Sequence, residues 1–199
     1  MNGVTTRWWW IRHAPVAWAG VRIYGHADLE CDTGDREAFA ALAARLPSGA
    51  VGVRSHLRRT LRTAEAIAAA GYVLPAMLVE PALAEQGFGA WEGASWEELQ
   101  TAGDPHLKRF WQDPFEVAPP GGESFRDVMV RVGEVLDRLG GVHAGRDIVA
   151  VVHAGTIRAA LALALGMTPG QVHAFAIDPL SLTRMDRTEG AWTVRTVNS

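Results

Sequence analysis

Short apolar runs that lead into basic residues, separated by amphipathic helical stretches, constrain this chain more than any other feature. Trp8-Trp9-Trp10-Ile11 leads into Arg12-His13, Ala50–Val53 leads into Arg54, and Ile148-Val149-Ala150-Val151-Val152 leads into His153. Runs this continuous suit strands buried on both faces, the condition of a parallel sheet covered by helices. The stretches between them carry the helical period. Asp35–Leu46 is predicted helical and ends at Pro47-Ser48-Gly49; Leu57–Ala70 is predicted helical and stops at Gly71. Ser124 caps a third helix, whose apolar positions Phe125, Val128, Val132, Leu136 and Leu139 share one face. Thr156–Leu165 gives a fourth, closed by Gly166. Ala76–Glu80 reads as a short strand, and Ser181–Asp186 and Ala191–Val197 as a hairpin turned at Thr188-Glu189-Gly190. The expectation is an α/β fold: three α/β/α layers with a mostly parallel central sheet.

The segment from Glu85 to Gly122 breaks this alternation. It is rich in Gly, Trp and Pro, with a capping-box pattern at Ser95-Trp96-Glu97-Glu98 and a further helical piece at Pro105–Trp111. It is expected to form an excursion, at about 86–122, that contributes to a substrate site within a single domain spanning 1–199. An exposed tryptophan among Trp91, Trp96 and Trp111 would mark a homodimer interface. Trp8, Trp9 and Trp10 are expected in the core, because aromatic side chains chiefly supply buried area.

Composition narrows the function classes. Apolar residues make up 48% and charged residues 21% of 199, which suits a packed core. A net charge of −3 and a pI of about 6.2 argue against a general nucleic-acid binder. The single cysteine, Cys31, excludes an intramolecular disulfide and a Cys-rich zinc site. No run approaches the roughly 20 apolar residues of a membrane helix, and the N-terminus lacks a signal-peptide pattern. The chain is therefore expected to be soluble and cytoplasmic, with no membrane partner. His106, His143 and His173 lack metal-ligand spacing and read as surface or packing residues; no metal or cofactor is expected.

In open α/β sheets, ligands gather beyond the carboxyl ends of the strands. Three predicted strand ends carry basic groups there: Arg12-His13, Arg54 with Arg58 and Arg59, and His153. Ala154-Gly155-Thr156 follows His153 and opens a helix whose N-terminus favours an anion. Histidines and arginines converging on one crevice describe an anion pocket, and phosphate suits the planar guanidinium.

Five segments then resemble one family in order. Trp10-Ile11-Arg12-His13-Ala14 resembles the Arg-His-Gly motif of the histidine phosphatases, or phosphoglycerate mutase-like proteins, with Ala in place of Gly. Ser55-His56-Leu57-Arg58-Arg59-Thr60-Leu61-Arg62-Thr63-Ala64 is similar to the second segment, in a register that makes Arg59 the phosphate-binding arginine. Leu83–Gly93 resembles the acid-bearing segment and places the acid at Glu85. Pro120–Ser124 and Val151–Arg158 complete the match.

The resemblance implies a phosphomonoesterase acting on a small-molecule phosphate ester. His13 would be the nucleophile, forming a phosphohistidine. Arg12, Arg59, a protonated His153 and Thr156 would bind phosphate, and Glu85, with a raised pKa, would be the acid and then the base. Charge supplied by the arginines removes the need for a metal. Two departures stand out. An Asn expected six residues after the histidine is Ala19 here, so Tyr24, Gly25 and His26 become candidate substrate contacts. His56 replaces a proline and is expected to face water. A mutase-type isomerase is disfavoured because Glu85-Gln86-Gly87-Phe88-Gly89 lacks the arginine those enzymes carry there. A non-catalytic phosphate-binding module is disfavoured because His13, Arg59, Glu85 and His153 are all present. Length and Ile23-Tyr24-Gly25-His26-Ala27-Asp28 look most like the α-ribazole phosphatase type.

Overall fold

The computed structural model describes residues 3–16 and 22–199, apart from the side chains of 169 and 170; position 19 thus lies outside the described residues. In chain order the elements are β1 Thr5–Arg12, α1 Arg36–Ala43, β2 Val51–Arg54, α2 Arg58–Ala69, β3 Met77–Val79, α3 Trp96–Thr101 and α4 Pro105–Gln112. They continue with α5 Phe125–Val142, β4 Asp147–Val152, α6 Ala154–Leu165, β5 Leu182–Thr188 and β6 Ala191–Thr196. The strands form one sheet in the order β3-β2-β4-β1-β5-β6. β1, β2, β3 and β4 run parallel, whereas β5 is antiparallel to β1 and β6 to β5. The turn between β5 and β6 uses Glu189 at φ 51° and Gly190 at φ 88°, two positive values that match the twist of a tight hairpin.

Alternation along the central strands divides the core into two layers. Ile148, Ala150 and Val152 of β4 pack with Trp8, Trp10, α5 and α6 on one face. Val149 and Val151 pack with Ile11, α1 and α2 on the other. This is the three-layer arrangement expected from unbroken apolar strands. Trp8 and Trp10 stack at 5.0 Å between centroids and are fully buried. Each such side chain removes about 150–250 Å² from water, worth about 4–6 kcal/mol before entropy. Their indole N–H groups have no partner among the described residues, which offsets part of that gain. Trp9 packs, partly buried, against the second of these layers. It points to the opposite face, half-buried beneath Arg184, with its indole N–H donating to Asp147 Oδ1 at 2.8 Å.

The excursion packs on a small core of its own. Ile23, Trp91, Leu107 and Phe110 are buried there with Phe88, Trp96, Leu99 and Val117 beside them. Both capping boxes are formed, Ser95 with Glu98 at α3 and Ser124 with Asp127 at α5. Of the three tryptophans in the excursion, Trp91 is buried and Trp111 is 57% exposed. No helix among the described residues is long and apolar enough to cross a membrane.

Parallel strands end at one edge of the sheet, and the register decides which residues meet there. Arg12 lies beside Val152 and Arg54 beside Val151. The residues that follow, His13, His153 and Ser55, therefore emerge side by side.

Candidate active site

His13 leaves β1 still tied to the sheet, its backbone N–H donating to Val152 O at 2.9 Å. The next residue is pinned from α2: Ala14 N–H donates to Thr63 Oγ1 at 2.8 Å. The imidazole is fully buried, with Nδ1 2.7 Å from Ala14 O. A carbonyl can only accept, so Nδ1 carries the proton and Nε2 keeps its lone pair. Nε2 is buried and has no hydrogen-bond partner among the described residues. Burial, then Arg59 and Arg12, push the His13 pKa down to about 3, with the Ala14 carbonyl opposing. The ring is neutral at ordinary pH, the state a nitrogen nucleophile requires.

Arg59 is buried on the first turn of α2. Its terminal nitrogens donate to Ala27 O at 2.8 Å and Gly25 O at 2.7 Å, and Nε–H donates to His153 Nδ1 at 3.2 Å. Its guanidinium also lies 5.0 Å from the Tyr24 ring centroid. Arg58 and Arg62 take the solvent side of the same helix and pair with Glu30, away from the pocket. Arg12 donates to Ile177 O at 2.5 Å, while its Nε is buried without a partner among the described residues.

His153 requires a correction. The expectation of a protonated imidazole fails because Arg59 already fills the donor role on that side. A guanidinium can only donate, so His153 Nδ1 accepts and Nε2–H points to Ser55 Oγ at 2.7 Å. Complete burial, Arg59 and His13 hold its pKa well below the usual histidine value. His153 thus lies opposite His13, 5.1 Å between ring centroids, as a neutral, oriented group.

Thr156 is corrected as well. Its buried hydroxyl faces the acid-bearing segment, donating to Ala84 O at 2.9 Å and Leu83 O at 3.2 Å. It positions Glu85 rather than phosphate. Glu85 Oε1 accepts the N–H groups of Gly155 and Gln86, both at 3.0 Å. A Cβ on Gly155 would overlap that oxygen, so the approach of the carboxylate to the start of α6 requires glycine. Glu85 and Gly155 line a cleft of about 350 Å³ together with Arg12, Tyr24 and Gly25. His26 stands behind the acid instead, its Nε2 2.7 Å from Glu85 O and 3.6 Å from Glu123 Oε2. His56 is exposed, as expected.

Several residues serve this site although the sequence assigns them no role in it. Arg131 of α5 donates to Ala82 O, Ala84 O and Glu85 O and pairs with Glu123, binding the acid segment to the helix layer. Ser55 and Thr63 orient His153 and the His13 loop. Arg158 and His173 line the cleft, and His173, which reads from sequence as a surface or packing residue, is exposed there. Their contributions come from contacts across distant chain segments, which neither periodicity nor local spacing reveals.

A bifunctional protein of Mycobacterium tuberculosis is 35% identical over 203 residues, covering 99% of this chain and 55% of its own length. The chain thus spans about half the length of such curated relatives. A glucosyl-3-phosphoglycerate phosphatase of Mycolicibacterium vanbaalenii is 34% identical over 170 residues, covering 79% of this chain and 73% of its own. Among solved structures, the α-ribazole phosphatase of Shigella flexneri superposes with a TM-score of 0.84 at 25% identity. The superposition covers 97% of this chain and 96% of that one. Residues 8–199 match the histidine phosphatase superfamily, branch 1, and the chain belongs to that superfamily.

Proposed function

We propose that this chain, read as one domain, is a metal-independent phosphatase that hydrolyses a small-molecule phosphate monoester through a phosphohistidine on His13. One observation carries the reading: a buried, neutral imidazole whose Nε2 lone pair has no partner among the described residues, flanked by Arg12 and Arg59. In the first step Nε2 attacks phosphorus, the ester P–O bond breaks, and Glu85 gives its proton to the leaving alkoxide. In the second, Glu85 takes a proton from water as the water oxygen attacks phosphorus and the N–P bond breaks. Arg12 and Arg59 hold the negative charge on the non-bridging oxygens, and neutral His153, accepting from Arg59 Nε–H, orients that guanidinium.

The identity of the ester rests with the cleft. α-Ribazole 5′-phosphate is one candidate, from the sequence character and the Shigella likeness. A phosphoglycerate-type ester is the other, from the Mycolicibacterium relative. Phosphate release should be measured from both, and from p-nitrophenyl phosphate, in excess chelator. His13→Ala is expected to lower turnover by at least about 10³-fold and to abolish an acid-labile phosphoenzyme. Activity that survives the substitution, or that needs a metal, rejects the reading. Interconversion of 3-phosphoglycerate faster than its hydrolysis would indicate a mutase.

A further inference from the structure

Among the described residues, the cleft in front of the phosphate pocket contains one cation that neither the chemistry above nor an ion pair uses. Arg158 lies on α6 one turn beyond Ala154 and Gly155, and all three line the cleft. Its Nε–H donates to Phe175 O at 3.0 Å, which fixes the plane of the guanidinium. Among the described residues its terminal nitrogens have no hydrogen-bond partner, and no carboxylate lies within ion-pair distance. The other arginine of the cleft outside the phosphate pocket, Arg22, is already paired with Glu98. Burial and Arg12 both work against the charge on Arg158, and Glu85 works for it.

Charge matching indicates what this cation awaits. A phosphoryl dianion is balanced by Arg12 and Arg59. Glu85 must hold a proton to act as the acid of the first step, so it is then no counter-charge. Arg158 is left as a half-buried positive charge in the cleft, an arrangement that favours an anionic group. A single guanidinium matches one carboxylate in charge and in planar geometry. A second phosphate would bring a dianion with no further free cation to meet it among the described residues of the cleft. His173 beside it is held below the usual histidine pKa by burial and by Arg158 itself, and adds a neutral hydrogen-bonding group.

We infer that Arg158 is a specificity-determining residue that seats a carboxylate on the leaving group, making the substrates phosphate monoesters of carboxylate-bearing alcohols. The inference rests on the phosphatase reading of the same site. It is tested with two ester pairs that differ in a carboxylate: O-phosphoserine against O-phosphoethanolamine, and 3-phosphoglycerate against glycerol 3-phosphate. The wild-type protein is expected to favour the carboxylate member of each pair by about tenfold or more in kcat/KM. In Arg158→Met the ratio is expected to fall to about one, and Arg158→Lys to restore part of it. A wild-type ratio near one overturns the inference without any variant. So does a preference that persists in Arg158→Met. The two readings fail separately: His13-dependent hydrolysis with no carboxylate preference rejects the role of Arg158 alone. Absence of His13-dependent release from every ester, p-nitrophenyl phosphate included, rejects the phosphatase.

Discussion

Burial and two neighbouring guanidiniums act on His13 in the same direction, and the result links the proposed nucleophile to the stability of the fold. With a folded pKa of about 3 and an unfolded value near 6.5, the unfolded chain binds the extra proton between those limits. Stability is therefore fully present above about pH 6.5 and is lost as pH falls toward 3. One such group contributes a slope of about 1.4 kcal/mol per pH unit, equivalent to about 3–5 °C in Tm for a domain of this size. His153, depressed in the same sense, steepens the loss. Thermal unfolding scanned from pH 7.5 to 4.5 should show it, and His13→Asn should shallow the slope by about one proton. An unchanged slope would mean that His13 is not buried neutral.

At the scale of the element, α6 and the acid segment are one device. The start of the helix gives Gly155 N–H to Glu85, the side chain of Thr156 holds the carbonyls of residues 83 and 84, and Arg131 clamps the same stretch from α5. These contacts fix the carboxylate by its backbone, which suits a group that must exchange a proton without moving. Gly155→Ala should therefore reduce kcat about 10–100-fold, since a displacement of about 1 Å at a reacting group has that effect. Its Tm should fall by only a few degrees, because the overlapping atom ends a flexible side chain. A large loss of stability with kcat intact would contradict this account. The sequence places α6 and its glycine well, yet assigns the Thr156 hydroxyl to phosphate. A hydroxyl at a helix start can face a ligand or a neighbouring carbonyl, and only the packed neighbour decides.

At the scale of the whole molecule, the excursion has a cluster of its own beside the two sheet layers and is joined to one of them through Phe115. Trp91 is central to the third cluster, edge-on to Phe110 at 5.2 Å and donating to Asp104 Oδ2 at 2.8 Å. Trp91→Ala should cost about 3–5 kcal/mol, confined to the excursion. Hydrogen exchange should show lost protection over residues 88–117 with β1 and β4 unchanged. Uniform loss across the sheet would show instead that the excursion and the sheet unfold as one unit. Because Phe88 and Trp96 belong both to this cluster and to the cleft, the variant should raise KM more than it lowers kcat.

Local chemistry in the sequence determined the layers, the parallel strands and the residues at their carboxyl ends. Apolar runs, caps and glycine stops act over a few residues and are visible in one dimension. His13, Arg59 and Glu85 were legible as candidate site residues for the same reason, each standing within a short motif. Tertiary structure alone decided the protonation of the pair of histidines, the turning of Thr156 toward the acid, and the reach of Arg131 across 46 residues to Glu85. It also decided that Arg158 and His173 face the cleft. Those outcomes depend on which donor meets which acceptor once distant segments pack, and on how much water the packing removes. Spacing along the chain contains neither quantity.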